Sequence, residues 1–260
     1  MAGKVDNIKI SVITPTYNQE SFIEKTICSV LSQEGDFELE YIVIDGGSTD
    51  RTMELLKKYS RIEWISETDQ GQSDAVNKGF KMSRGDILGW LNSDDLYEEG
   101  ALATVAEAYK TNKFKWGFGN CRNIDEKGRE IRNIITNYKN FESRHYSRRR
   151  LLTKDFIPQP AVFISRSAFE ETGFLDLLYD YAMDYDYWLR LASRYPPLYI
   201  DRFLAKFRWH RTSKSKNHYQ KAALEAYRIA KKHAQPGDEI YIYRHFIHVL
   251  TLWGIYFFLP

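Results

Sequence analysis

Cysteine is nearly missing from this sequence, which removes two ways of building a fold. Only Cys28 and Cys121 are present, far apart and without a Cys or His neighbour at metal-ligand spacing. A disulfide framework and a zinc site are therefore both excluded as the basis of the structure. A reducing compartment, the cytoplasm, is the setting that we expect.

An excess of charge is missing as well. The 37 lysine and arginine residues almost cancel the 35 aspartate and glutamate residues, so the net charge gives no reason to expect a nucleic-acid partner. Apolar residues fill 43% of the 260 positions. A chain of this length and composition can bury a large core in one domain.

Neither end of the chain carries an apolar run long enough to cross a bilayer. Met1–Lys9 is polar and contains Asp6, unlike the apolar core of a signal peptide. Phe246–Leu259 has no charged residue but spans only about 14 positions, and a membrane-crossing helix needs about 20. Three interpretations of this segment are open: it rests on the inner face of the membrane, it packs on the protein, or it forms an oligomer contact.

The first hundred residues alternate short β-rich runs with amphipathic helical patterns. Such alternation is typical of βαβ units and predicts an α/β fold with a Rossmann-like, mostly parallel central sheet flanked by helices. The spacing of Ser21 and Glu24 predicts a capping box before the first helix. The predicted strands are Ile8–Thr14, Glu40–Ile44, Ile62–Ile65 and Asp86–Leu91.

Beyond Lys110 the alternation breaks down, and the basic stretch Asn137–Lys154 is predicted as a surface loop or helix. We divide the chain into a main domain over residues 1–217 and a helical C-terminal extension over residues 218–260. Ser167 and Glu170 have capping-box spacing before a helix that Gly173 ends. Further strands are predicted at Lys115–Phe118, Arg129–Ile135 and Leu198–Arg208, and further helices at Asp184–Arg194, Gln220–His233 and Ile240–Leu259.

Ligands of open α/β sheets bind beyond the carboxyl ends of the strands. Asn92–Asp95 ends a buried strand with an amide and two carboxylates. Clustered oxygen ligands suit Mg²⁺ or Mn²⁺, which take one or two protein carboxylates together with phosphate oxygens of a substrate. The alternative is that Asp94 and Asp95 cap the following helix and stay solvated.

Two other strand ends carry candidates. Asp45 precedes a glycine-rich turn, so its carboxylate could bind a nucleobase or ribose, although Asp and Gly are also ordinary turn formers. Tyr17 follows the first strand and could place its ring against a base, although an aromatic residue there is more often core packing. The residues alone leave both alternatives open.

Taken in order, these residues resemble the family 2 glycosyltransferases, which have the GT-A fold. The resemblance is dense over residues 8–100, moderate from Gln159 to His210 and absent beyond Gln220. It implies a metal-dependent, hexosyltransferase-like enzyme that moves a sugar, with inversion, from a UDP-, dTDP- or GDP-sugar to the hydroxyl of a glycan or lipid-linked acceptor. Bacterial surface polysaccharide or lipopolysaccharide synthesis would be its setting. The matching segments are Thr14–Asn18, Ile42–Asp50, Glu67–Gly71, Asp74–Gly79, Arg84–Asp86 and Leu91–Asp95.

The resemblance implies roles for single residues on the donor side. Pro15, Tyr17 and Asp45 would hold the nucleoside, and Asp69 and Lys78 would lie near the base or the phosphates.

At the metal, Asp94 would be the ligand and Asp95 would sit near the donor sugar, with Ser93 beside them in the donor site. The family usually has Asp-x-Asp here, and Asn92 stands in the first place, where a neutral amide binds Mn²⁺ less strongly. Gly46 stands where many relatives have a second Asp, and Val76 where many have Arg. The identity of the nucleotide is therefore open.

Inverting transfer needs a base that takes the proton of the acceptor hydroxyl. Ala182–Leu191 resembles the Glu-Asp segment of the family and implies that Asp184 is this base, with Met183 in place of the usual Glu. A helix N-terminus lowers the pKa of a carboxyl group, so burial or a neighbour such as Asp186 has to raise it. The alternative is that Asp184 only stabilises the start of the helix.

Three more residues follow from the resemblance. Gln159 and Trp188 are candidates for acceptor or sugar contact, although Trp188 could equally belong to the core. His210 would complete the metal shell, and the basic segment Arg202–Lys216 would close over the phosphates. A single histidine is more often structural, so both readings of His210 are open.

Two other functions fit parts of the pattern. A non-catalytic scaffold that binds nucleotide sugars would show binding without turnover. A nucleotidyltransferase would need a glycine-rich loop with Lys or Arg directly after the first strand, and Thr14–Asn18 lacks both.

Overall fold

The computed structural model describes residues 7–211 and 218–258, with side chains up to Trp253. Within these residues one sheet of nine strands forms the centre, and the predicted α/β fold is confirmed. The strands are β1 (Lys9–Thr16), β2 (Glu38–Asp45), β3 (Glu63–Ser66), β4 (Ile87–Trp90), β5 (Leu96–Tyr97), β6 (Trp116–Ile124), β7 (Glu130–Ile131), β8 (Val162–Ser165) and β9 (Leu198–Arg208). Their order is β3-β2-β1-β4-β8-β6-β9-β5, with β7 paired to β6.

The first half of the sheet is parallel. β3, β2, β1 and β4 run in the same direction, with Thr16 opposite Asp45 and Ile13 opposite Trp90. All residues of β4 are buried, as expected for a parallel strand that is covered by helices on both faces. The carboxyl ends of β1, β2 and β4 therefore lie at one edge of the sheet.

The second half of the sheet is mixed. β8 is antiparallel to β4 and β6, whereas β9 is parallel to β6 and antiparallel to β5. Because Leu96 of β5 pairs with Lys206 of β9, the end of β9 lies beside the segment that follows β4. This pairing joins the two halves of the chain at the edge where a ligand is expected.

Helices cover both faces of the sheet, and the predicted helices are found within a few residues of their expected bounds. They are α1 (Ile23–Leu31), α2 (Thr52–Leu56), α3 (Gln72–Met82), α4 (Ala101–Asn112), α5 (Asn133–Arg144), α6 (Arg148–Leu151), α7 (Arg166–Thr172), α8 (Met183–Ala192), α9 (Tyr219–His233) and α10 (Glu239–Phe258).

Three local predictions are wrong. The predicted strand Arg129–Ile135 is a strand only at Glu130–Ile131, because Arg132 has a left-handed backbone (φ 58°) and α5 follows. The side chain of Ser21 does not cap α1, which begins after Phe22 without a side-chain cap. At α7 the cap is Ser165, whose hydroxyl accepts from the N–H of Ala168, rather than Ser167.

The C-terminal helices pack on the main domain. Ala226, Ile229 and Ala230 of α9 belong to the same buried cluster as Trp188 and Leu191 of α8. None of the helices in residues 7–211 and 218–258 is long and apolar enough to span a membrane. Parts of the predicted segments Arg202–Lys216 and Ile240–Leu259 lie outside the described residues.

Candidate active site

A cavity of about 710 Å³ lies at the carboxyl edge of the parallel strands. Its walls come from the ends of β1 and β4, the start of α3, the start of α8 and the residues after β9. Helices α9 and α10 also contribute to the wall. The sequence-predicted residues on this wall are Pro15, Tyr17, Asp69, Asn92, Ser93, Asp94, Gln159, Asp184 and His210. Tyr17 is 58% exposed and Pro15 is buried beside it.

Asp94 and His210, the two predicted metal ligands, are in contact. Nε2 of His210 lies 2.8 Å from Oδ2 of Asp94, and both side chains line the cavity. The ring of His210 packs against Phe22 of the loop before α1, with centroids 4.7 Å apart. The β5–β9 pairing brings these two residues together although they are far apart in sequence.

Asp95 points away from the cavity. It is fully buried, and its Oδ1 accepts a hydrogen bond from the backbone N–H of Arg208 (2.9 Å). Burial, and then the charge of Asp94, raises the pKa of Asp95 well above its usual range. The guanidinium of Arg208 donates from Nε to the carbonyl oxygen of Asp94 (2.7 Å). In this structure Asp95 therefore joins β9 to the Asp94 segment, and its contact with a donor sugar stays a prediction.

Asn92 is held by a network of neighbouring polar groups. Its Oδ1 accepts from Nε2 of Gln72 (2.7 Å) and from Nε1 of Trp90 (2.8 Å). Its Nδ2 donates to Oε1 of Gln159 (3.1 Å), and Gln159 donates in turn to the Trp90 carbonyl oxygen (2.6 Å). The amide of Asn92 thus shapes the cavity wall, and a carboxylate in its place would lose the donor to Gln159.

Asp45 lies under the glycine-rich turn. It is fully buried, and its carboxylate accepts from the backbone N–H groups of Gly47 and Ser48 and from the hydroxyls of Ser48 and Ser66. These contacts match the turn interpretation. Direct contact with a nucleoside would require some of these four hydrogen bonds to be replaced.

Asp69 reaches the cavity, whereas Lys78 does not line it. Oδ1 of Asp69 accepts from the N–H of Gly71 (2.8 Å), and a Cβ at Gly46 would lie 2.5 Å from Oδ2 of Asp69. This close approach explains why glycine occupies position 46. The ammonium of Lys78 is paired with Glu67 (2.8 Å) and Asp74 (3.4 Å).

Asp184 stands at the start of α8 on the cavity wall. Burial raises the pKa of its carboxyl group to about 6. The hydrogen bond from the N–H of Tyr185 lowers this pKa, but burial has the larger effect. Asp186 does not have the expected role of raising this pKa. It forms an ion pair with Arg190 and a hydrogen bond with His233 (both 2.8 Å), and its own pKa is lowered by them despite its burial.

Three charged residues of the cavity wall were not predicted from the sequence: Lys139, Asp155 and Asp180. Oδ1 of Asp155 has no hydrogen-bond partner among the described residues. Burial, and then the charge of Asp184, raises the pKa of Asp155. No motif marked Lys139 or Asp155, because they lie in and next to the basic stretch that was predicted to be surface.

The N-terminal end of α8 is held by the C-terminal extension. The carboxylate of Glu225 on α9 accepts from the backbone N–H groups of Asp180 (3.3 Å), Tyr181 (2.8 Å) and Ala182 (2.7 Å). These residues directly precede Met183 and Asp184. Glu225 is thus a positioning residue for the cavity wall that carries Asp184.

Trp188 belongs to the core, which corrects the expectation of a sugar contact. Its side chain is 1% exposed, and its ring stacks on Trp116 with centroids 6.1 Å apart and an interplanar angle of 8°. A ring that is covered on its faces by core residues cannot stack on a sugar. Gln159 remains on the cavity wall.

The residues present fit a divalent cation with few protein ligands. In residues 7–211 and 218–258 no group of three or more His, Cys, Asp or Glu side chains is arranged to hold a metal. Asp94 and His210 supply one oxygen and one nitrogen at the cavity. Mg²⁺ and Mn²⁺ accept such sites when substrate oxygens and water fill the other positions.

Comparison with known proteins identifies the family. A sequence model described as glycosyl transferase family 2 matches residues 11–173. An uncharacterized glycosyltransferase of Mycobacterium tuberculosis is 31% identical over 207 residues, which cover 76% of this chain and 74% of the relative. Chondroitin synthase of Escherichia coli is 29% identical over 198 residues, and an uncharacterized glycosyltransferase of Rickettsia bellii is 30% identical over 189. The chain matches only 28% and 26% of the lengths of these two proteins.

Solved structures share the fold. S. aureus TarS in complex with UDP-GlcNAc superposes with a TM-score of 0.69 at 18% identity, over 90% of this chain and 69% of the TarS chain. The mannosyltransferase PcManGT of Pyrobaculum calidifontis, in complex with GDP-Man and Mn²⁺, gives a TM-score of 0.68 at 14% identity, over 96% of this chain and 76% of the other. The chain therefore belongs to glycosyl transferase family 2 and has the GT-A fold.

Proposed function

We propose that the protein transfers a sugar, with inversion, from a nucleoside diphosphate donor to a hydroxyl of a glycan acceptor. One observation carries this proposal: Asp184 and the Asp94–His210 pair line the same cavity. A base and a diphosphate site in one enclosed space are what the reaction requires.

In the proposed reaction, Asp184 takes the proton of the acceptor hydroxyl. The acceptor oxygen forms a new bond to the anomeric carbon of the sugar. The bond from that carbon to the diphosphate oxygen breaks, and the nucleoside diphosphate leaves with the electron pair. Burial supports Asp184 in this role, because its raised pKa makes it a stronger base than an exposed carboxylate.

Asp94 and His210 would hold Mn²⁺ or Mg²⁺. When it is bound, the cation neutralises charge on the leaving diphosphate. Tyr17, Asp69 and Ser93 are the wall residues that we assign to the nucleotide. PcManGT, whose fold this chain shares, was crystallised with Mn²⁺ and a nucleotide sugar, which supports a divalent cation as the cofactor.

We propose a uridine or guanosine diphosphate sugar as the donor, because the two structural relatives were crystallised with UDP-GlcNAc and GDP-Man. The likeness to chondroitin synthase supports a polysaccharide as the product. dTDP-sugars belong in the same test panel, since no described contact selects the base.

The test is to incubate the protein with a panel of nucleotide sugars, with Mn²⁺ or with a chelator. Thermal stabilisation and release of nucleoside diphosphate are measured, and the anomeric configuration of any product is determined by NMR. We expect both signals with Mn²⁺ and neither with the chelator. The proposal is wrong if no nucleoside diphosphate stabilises the protein and none is released, and binding without turnover would favour the scaffold function.

We also propose that α10 rests on the cytoplasmic surface of a membrane. Its outer face exposes large apolar side chains, which an interfacial helix buries in the head-group region. Flotation with vesicles of anionic phospholipid tests this, and a dimer that buries the same face and prevents flotation would contradict it. The exposed residues are Ile240, Tyr243, Phe246, Ile247, Leu250 and Trp253.

A further inference from the structure

Two parts of the cavity wall differ chemically. Near the strand ends and the start of α8 the wall is lined by charged and amide side chains such as Asp94, Asn92 and Asp184. Another part is formed by α9 and α10, which lie beyond the segment that the family model matches. The residues there are Tyr219, Ala222, Ala223, Ala226, His245, His248, Val249 and Leu252.

On the α9 side of this part of the wall, three of the four lining residues are alanines and the fourth is Tyr219. Ala222, Ala223 and Ala226 recur on one face of the helix, and their small size leaves space in front of them. A sugar in such a place would find few partners for its hydroxyl groups, and each unpaired polar group buried there would weaken binding.

The α10 side is uncharged. Val249 and Leu252 contribute aliphatic surface, and Nδ1 of His245 is 2.9 Å from the carbonyl oxygen of Leu152. Burial lowers the pKa of His245 to about 4 and also lowers that of His248. Both imidazoles are therefore neutral at pH 7.

Helix α10 also joins the cavity to an apolar surface. At about 100° per residue, His245, Val249 and Leu252 fall on one side of the helix and Phe246, Leu250 and Trp253 fall on the other side. The first set lines the cavity, and the second set is exposed. An apolar ligand that leaves the cavity past α10 would meet further apolar side chains.

We propose that the part of the cavity between α9 and α10 binds the hydrocarbon chain of a lipid-linked acceptor and so directs its sugar hydroxyl to Asp184. This inference rests on the proposed glycosyl transfer and names the class of its acceptor. The small alanine side chains make room for the hydrocarbon chain, and the exposed face of α10 lies against the membrane from which the acceptor comes.

Alkyl glucosides provide the test, because only their chain length differs. The dissociation constants of butyl, hexyl and octyl glucoside are measured by calorimetry below micelle formation, with UDP and Mn²⁺ present. Each methylene that becomes buried improves binding by up to about fourfold. We expect one binding site and affinity that rises severalfold from butyl to hexyl and again to octyl. Affinity that does not depend on chain length overturns the proposal.

Ala222→Phe should abolish the dependence on chain length, because the ring fills the space in front of α9. Gln220→Phe is the matched control, since Gln220 is an exposed residue of the same helix and does not line the cavity. If a folded Ala222→Phe protein keeps the full dependence, the chain binds elsewhere and the proposal is wrong. If this variant does not fold, Leu252→Ala is measured instead. Because this substitution widens the space, it should raise the affinity for the longest alkyl glucoside most.

Release of nucleoside diphosphate from the donor is measured on the same preparations. If nucleoside diphosphate is released but affinity for the alkyl glucosides does not change with chain length, the lipid-linked acceptor is rejected. The glycosyltransferase proposal is unaffected by that result. If affinity rises steeply with chain length but no donor is turned over, the proposed glycosyl transfer is rejected. The acceptor assignment, which rests on it, is then rejected as well.

Discussion

Nε2 of His210 lies 2.8 Å from Oδ2 of Asp94, although the two residues are 116 positions apart in the sequence. Neither residue follows from the other by any local pattern. The contact depends on β9, whose pairing with β5 places the residues after Arg208 beside the end of β4. The two residues that the family resemblance assigns to one metal thus meet at one point of the cavity.

Replacing His210 by alanine should weaken metal binding. We expect the Mn²⁺ concentration that gives half-maximal stabilisation by UDP to rise about 10–100-fold, the range seen when a supporting group of a metal site is lost. The measurement is a Mn²⁺ titration of the melting temperature in the presence of UDP. His145→Ala is the control, since His145 is exposed and does not line the cavity. Equal titrations of the two variants would contradict the assignment.

Asp184→Asn should remove turnover and keep donor binding. Loss of a general base typically lowers the rate by about 10²–10⁴-fold, whereas Asp94 and His210 are untouched. Asp186→Asn should instead affect stability. It weakens the contacts with Arg190 and His233 and lowers the free energy of unfolding by about 1.5–3 kcal/mol. Rates of nucleoside diphosphate release and melting curves separate the two effects. If Asp184→Asn transfers sugar at the native rate, another group is the base.

Asp155→Asn should stabilise the protein, and more so at higher pH. Burial raises the pKa of Asp155 in the folded state, so the native carboxyl group favours folding below its unfolded pKa of about 4 and loses this contribution as the pH rises through its folded pKa. An amide stays neutral and avoids the loss. We expect a gain of about 1 kcal/mol at pH 8, or roughly 2–4 °C in melting temperature, and almost none at pH 4. A gain that is the same at both values would show that charge is not the cause.

Glu225→Gln should change the pH dependence of turnover. Burial chiefly raises the pKa of Asp184 to about 6, and the charge of Glu225 adds to this. The rate should therefore rise as the pH passes through about 6, and the variant should show this rise at lower pH, because a neutral side chain no longer opposes ionisation of Asp184. Glu239→Gln on α10 is the control, since Glu239 is exposed. A lower maximal rate without any shift along the pH axis would indicate a structural role only.

Gly46→Ala should act through Asp69. The new Cβ would lie 2.5 Å from Oδ2 of Asp69, so the carboxylate has to move and its hydrogen bond to Gly71 is strained. We expect a loss of about 1 kcal/mol in stability and weaker nucleotide binding. In an Asp69→Ala background the same substitution should cost almost nothing, and a double-mutant cycle measures the difference. Additive losses would mean that the two residues do not interact.

Much of the fold could be predicted because the parallel strands are buried on both faces. Runs such as Ile8–Thr14 and Asp86–Leu91 are rich in apolar residues, and the helices between them have one apolar face. The segment after Arg129 was mispredicted for the opposite reason. Ile134 is 85% exposed, so its β-branched side chain indicated a strand that tertiary packing does not form.

The site was predictable where it follows strand ends and unpredictable where distant segments meet. Asn92 and Asp94 follow the end of β4 and reach the cavity, as does Asp184, which the family resemblance identified at the start of α8. Asp155 has no such context, since a single aspartate beside a basic stretch gives no sign of burial. Trp188 shows the converse, because periodicity places it on a helix but cannot tell a core face from a cavity face.

Glu225 links the part of the cavity wall on α9 to the part that carries Asp184. The helix that presents Ala222 and Ala226 to the cavity also holds, through one carboxylate, the backbone that precedes Asp184. If an acceptor bound at α9 changes the affinity for the donor through this link, the donor must change the affinity for the acceptor by the same factor. Cooperativity between acceptor and donor then requires no movement of the sheet.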